Sequence, residues 1–151
     1  MSHVLVSLVK HMEWADELVG AALERADGTA IEAVKAYAHL VAAEEIWLAR
    51  IEGRATRLSV QPEITLAEAR AVATQAAAGF RALAASPELT RTISYRNLAG
   101  TSFETPLDQI ITHVCLHGAY HRGQVSLLLR RGNAEPAPTD YIAFARLAQL
   151  E

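Results

Sequence analysis

Cysteine is almost missing from this chain: Cys115 is the only one in 151 residues. No internal disulfide can form, so a reducing compartment is the expectation. An excess of one charge is missing too. The 14 Lys and Arg stand against 17 Asp and Glu, a net charge of -3. No basic face recommends a nucleic-acid partner, and no like-charge run suggests a tail. Long hydrophobic runs are absent: no apolar stretch approaches the roughly 20 residues of a membrane span. The opening MSHVLVSLVKHMEWADELV has charge and histidine scattered through it and lacks the cleavage site of a signal peptide. A cytoplasmic protein with neither a membrane nor a nucleic-acid partner is expected. With 51% hydrophobic and 21% charged residues, the composition is globular rather than disordered, and the length suits one domain over residues 1–151.

What is present is helical periodicity with legible ends. Val4, Leu5, Leu8, Met12, Ala15, Leu18 and Ala22 recur at helical spacing and predict a first helix from about Ser2 to Arg25, broken by Asp27-Gly28. Thr29 and Glu32 read as a capping box for a second helix that runs to Glu52, with Gly53 as its cap. Thr65 and Glu68 read as another, opening an Ala-rich third helix to about Ala85, stopped by Ser86-Pro87. The period then shifts to two. RTISYRN and TSFET flank Leu98-Ala99-Gly100 and predict a short hairpin. Thr105 as N-cap, Pro106 at the first position and Asp108 in the first turn predict a fourth helix, ended by Gly132. After the Pro-rich NAEPAPT, Thr139-Asp140 starts a short C-terminal helix. Four long helices in one small domain predict an all-α four-helix bundle, with the hairpin before the fourth helix.

That helix carries HVCLHGAYHRGQV, from His113 to Val125. At about 100° per residue, His113, His117 and His121 share one stripe, each roughly 6 Å from the next. Ile110 and Leu128 lie on it as well and turn it toward the interior. A histidine pair at i and i+4 is half of a divalent-metal site, because both imidazoles can point at one ion about 2.1 Å away. Two ligands seldom hold a metal tightly, so a third has to come from another helix. His39, midway along the second helix beside Ala36, Ala43, Ile46 and Trp47, is the best candidate; a histidine at that depth is costly unless its nitrogens find partners. His3 and His11 are weaker candidates. On the residues alone, His113 reads first as a hydrogen-bonded core histidine, and the His117–His121 spacing stays open between metal binding and chance. No Glu-x-x-His occurs, which sets a di-iron bundle aside, and Glu44 and Glu45 read as a solvated face. Arg122 is read either as a surface or interface cation or as an anion-binding one.

HVCLHGAYHRGQVSLLLRRG resembles the signature of the DinB/YfiT-like superfamily of small metal-binding helical bundles. HLVAAEEIWLARIEG resembles the family's first ligand segment, and HMEWADELV its Trp-Ala-Asn pattern, with Asp16 where Asn is commoner. PAPTDYIAFARL resembles its C-terminal segment. The resemblance implies a metal held by His39, His117 and His121, with His113 as a pocket or supporting residue; Gln124, on the same stripe, is placed to orient a substrate or a ligand imidazole. The resemblance also implies an up-down-down-up bundle in which the Arg54–Ile64 connection crosses over, and a homodimer; Val114, Val125 and Leu129, apolar and off the histidine stripe, are taken as the dimer face. Three neutral imidazoles leave an ion at least one open position, the pattern of a catalytic site. Imidazole suits zinc, nickel, iron and copper alike, with zinc and nickel expected first. A metal-dependent transferase or hydrolase acting on a small molecule, with a low-molecular-weight thiol among the candidates, is the first expectation. A non-catalytic metal-binding stress protein or sensor is the alternative. Cys115 lies about 160° from His117 round the helix and is expected to pack rather than attack.

Overall fold

In a computed structural model of the chain, residues 3–27 and 30–149 are described. The elements run α1 (His3–Arg25), α2 (Ile31–Glu52), α3 (Leu66–Ala84), β1 (Thr92–Arg96), β2 (Ser102–Pro106), α4 (Leu107–Arg131) and α5 (Tyr141–Ala148). The fold is mostly helical with one small antiparallel hairpin. Among the described residues, no helix is long and apolar enough to cross a membrane.

The ends of the elements follow from local chemistry. Asp27, at φ 43, turns the chain out of α1. Gly53, at φ 68, closes α2 in the left-handed conformation that suits glycine. The expected capping box at Thr29 lies outside the described residues; Ala30 stands at the N-cap of α2 with no side-chain bond. At α3 the box is complete: Thr65 Oγ1 accepts from the Glu68 amide at 3.1 Å, and Glu68 Oε2 accepts from the Thr65 amide at 2.7 Å. The start of α4 differs from expectation. Thr105 is not its N-cap. β2 runs through Thr105 to Pro106, which pairs with Thr92, and the Thr105 hydroxyl bonds that of Tyr95 at 3.1 Å. The strand register claimed the threonine before the helix could. In β1, Ile93 is buried while Thr92 and Ser94 face solvent, which is the alternation that the period of two predicts.

Side-chain contacts fix how the helices run. Glu24 and Glu17 of α1 pair with Arg70 of α3, and Glu13 with Arg81, so α1 and α3 are antiparallel. His39 and Trp47 of α2 meet His121 and His113 of α4, so α2 and α4 are antiparallel as well. The connection from α2 to α3 folds back along α2. Arg54 and Thr56 bond Glu45, and the Val60 carbonyl reaches His39. α3 therefore starts beside the N-terminal half of α2 and runs parallel to it.

The core has two apolar parts. One gathers Leu5, Met12, Phe80, Leu107 and Ile111; the other gathers Leu23, Tyr37, Val41, Val125 and Leu129. Asp16, Glu44 and Arg122, all buried, come from the stretches of α1, α2 and α4 that lie between them. Val114, Val125 and Leu129 are inside this core, which withdraws them as a dimer face.

Candidate metal centre

His117 and His121 stand one turn apart on α4, their ring centroids 4.3 Å apart and their Nε2 atoms 3.1 Å apart. α2 brings His39 to within 4.7 Å of the His121 ring and 6.3 Å of the His117 ring. One ligand nitrogen from each lies within 4.8 Å of the others, and all three residues are half-buried. Nitrogens bound to one ion at about 2.1 Å in a tetrahedron are about 3.4 Å apart; the His117–His121 pair is near that spacing, and the three residues together could hold an ion. The stripe sits at the edge of the core rather than inside it: His113 and Gln124 are exposed, and Ile110 alone is fully covered. The wall between α2 and α4 therefore opens to solvent at the three imidazoles.

Two of the three second nitrogens are already engaged. His39 Nδ1 is 2.7 Å from the Val60 carbonyl. A carbonyl can only accept, so Nδ1 carries the proton and Nε2 keeps its lone pair. Gln61 Nε2, 3.3 Å from that same Nδ1, is then a neighbour and not a donor to it. His121 Nδ1 donates to Gln124 Oε1 at 2.9 Å, which again leaves Nε2 without a proton, here accepting from His117 Nε2 at 3.1 Å. This is how metal-binding imidazoles are oriented by their outer partners. Burial is the main force holding His117 down to a pKa of about 4, helped by the neighbouring His121, His113 and His39. Burial also lowers His121, against the Gln124 bond that raises it. Both are neutral at pH 7, the state in which imidazole binds a metal.

The other candidates are placed elsewhere. His113 is 5.5 Å from the His117 ring and 5.4 Å from Trp47, at the margin of the cluster and not in the core. His3 is exposed. His11 is buried among Trp14, Tyr141 and Phe144 and bonds the Thr139 carbonyl at 2.7 Å, so it fastens α5 to α1. Cys115 is packed in the core, where burial pushes its thiol up to about 12.

Glu44 overturns its reading as a solvated residue. It is 1% exposed, and neither carboxylate oxygen has a hydrogen-bond partner. Glu45 is half-buried under Arg54 and Thr56. Arg122, read as a surface cation or an anion site, is 2% exposed and donates from Nη1 to Asp16 Oδ1 at 2.7 Å. Gly118 makes room for it: a Cβ there would lie 3.0 Å from that same nitrogen. The helical phase carried the signal. Glu44 shares its face with Tyr37, Val41 and Leu48, and Arg122 with Gly118, Val125 and Leu129.

A model of the DinB family matches residues 1–151, the full chain. Protein DinB of Bacillus subtilis (strain 168) is 30% identical over 64 residues, which cover 42% of this chain and 37% of that protein. The similarity to that relative thus spans little more than a third of its length. The family match runs from the first residue to the last and takes in both helices that supply the three histidines, so the chain belongs to the DinB family.

Proposed function

We propose that this chain is a metal-dependent enzyme in which His39, His117 and His121 hold one divalent ion at an open site. The reaction is the transfer or hydrolysis of a small molecule, with a low-molecular-weight thiol or water as nucleophile. The observation that carries this is the convergence of three imidazoles from two antiparallel helices, two of them already oriented through Nδ1. An ion there would supply Lewis acidity toward water or a thiol. The chain's own residues supply the rest. Val60 and Gln124 hold the rings, and α2 and α4 fix their spacing. The nucleophile comes from outside, because Cys115 is buried in the core with its thiol protonated. Zinc or nickel is the expected ion, three neutral imidazoles suiting both. The helix directions support an up-down-down-up four-helix bundle around this site, formed by one domain.

Elemental analysis of untagged protein tests the site. About one equivalent of a divalent metal is expected, lost in the His117→Ala, His121→Ala double variant and retained in His3→Ala. Full occupancy in the double variant would overturn the assignment. Because His117 and His121 are already neutral, binding at pH 7 displaces no proton from them, and protons compete at His117 only as the pH falls toward about 4. Cys115→Ala is expected to keep metal and turnover of a thiol with an electrophile, while chelation removes turnover.

A further inference from the structure

Beyond the three histidines, α2 and α4 continue as an aromatic surface. His113 leads from His117 to Trp47, and Trp47 meets Tyr95 of the hairpin with ring centroids 5.1 Å apart. Tyr95 in turn stacks on Phe103 at 5.9 Å. Arg50 lies on top: its guanidinium carbon is 4.5 Å from the centre of the Trp47 ring and 5.7 Å from that of Tyr95. Among the described residues, every other half-buried or buried arginine has a carboxylate: Arg70 has Glu17 and Glu24, and Arg122 has Asp16. Among the described residues, no carboxylate lies within ion-pair distance of Arg50, and none accepts a hydrogen bond from it. Its burial lowers its pKa from the usual value, against Tyr95, which raises it, as expected of a cation partly withdrawn from water.

We infer that Arg50, held on Trp47 and Tyr95, is the anion-binding end of the substrate site whose other end is the three-histidine cluster. The substrate would then be an elongated molecule with a carboxylate at one end and the metal-binding group at the other. This rests on the proposed metal site. A fixed guanidinium matches a carboxylate in two parallel hydrogen bonds, and stacking on Trp47 presents that fork ready made. The length follows from the helices. His39 and Trp47 are eight residues apart on α2, as are His121 and His113 on α4. At about 1.5 Å per residue that is roughly 12 Å along each axis, and the Arg50 side chain leans back over Trp47. A molecule that meets both ends spans roughly 10 Å and lies along His113 and Trp47.

Mercaptoalkanoates of rising chain length, compared with the matching mercaptoalcohols, test this on metal-loaded protein. Trp47 fluorescence reports binding in a Trp14→Phe background. The carboxylates are expected to bind about tenfold tighter than the alcohols once the chain spans the two ends. Arg50→Gln is expected to erase that preference and Arg50→Lys to keep part of it, both with metal content unchanged. A preference that survives in Arg50→Gln, or none at any length, would overturn the inference and leave the metal site standing. A parallel arm uses octanoate and octanol on metal-free protein. Octanoate should be preferred there too, through Arg50 alone, so a chain that bound no metal would fail the proposed function while this arm still decided the role of Arg50.

Discussion

Glu44 and Asp16 bring two carboxylates to one buried place with a single guanidinium, that of Arg122. Burial raises the Glu44 pKa well above its usual 4.5, and the nearby Asp16 carboxylate raises it further, against the pull of Arg122. Two bare carboxylates cannot bond each other. A proton on Glu44 gives it an O–H to donate, and Asp16 Oδ2, which has no other partner, can accept it. The cluster is then neutral overall, which lowers the cost of burying it. The sign of the pH dependence follows. The unfolded chain loses the Glu44 proton above about 4.5 while the fold keeps it, so this residue's contribution to stability is lost as pH rises from there through the folded pKa. Glu44→Gln carries an amide donor and no charge, and is expected to raise the melting temperature at pH 8 by more than at pH 5. An equal shift at both would contradict the shared proton. His117 acts in the opposite sense in metal-free protein. Its folded pKa of about 4 lies below the usual 6.5, so its contribution is present above 6.5 and lost as pH falls toward 4.

At the level of elements, the segment from Gly53 to Thr65 does more than join two helices. It lies back along α2, pinned by Arg54 and Thr56 on Glu45 at 2.6 Å and 2.5 Å, and delivers the Val60 carbonyl to His39. Glu45 holds two of these anchors, and the ion pair with Arg54 is only partly exposed, so it is less screened than a surface pair. Glu45→Ala should free the segment and leave His39 less well oriented. We expect faster amide exchange around Leu58 and metal affinity lower by about tenfold, the scale of losing an outer partner of a ligand imidazole. Unchanged affinity, measured by competition with a chelator, would mean that Val60 holds its place without Glu45. α4 has a comparable double role: one face supplies His117 and His121, and the neighbouring one supplies Arg122 and the core.

For the whole molecule, the remaining question is the outer face. The apolar residues first taken for a dimer surface fill the chain's own core, but Leu116, Tyr120 and Leu127 are exposed at helical spacing on α4, at 62%, 67% and 47%. A dimer, which the family resemblance implies, would use this face. Light scattering is then expected to give twice 16.4 kDa, and Leu116→Lys with Tyr120→Lys to return the monomer. A mass of one chain for the unaltered protein at micromolar concentration would remove the dimer.

The sequence by itself determined the helices, most of their ends, the hairpin and the three histidines as candidates. Gly53, the Thr65–Glu68 box and the alternation of Ile93 and Tyr95 act through neighbours a few residues away, and such interactions are fully present in the local pattern. His117 and His121 were legible for the same reason, since one helical turn joins them. Only the tertiary structure decided which groups share a place across helices. Glu44 read as solvated because a carboxylate is usually exposed, and its burial depends on Arg122 and Asp16, which come from two other helices. Thr105 read as a cap because its pairing strand lay ten residues upstream in another element. That no carboxylate among the described residues pairs with Arg50 could not be read at all, because which side chains surround it is settled only once every helix and strand has taken its position.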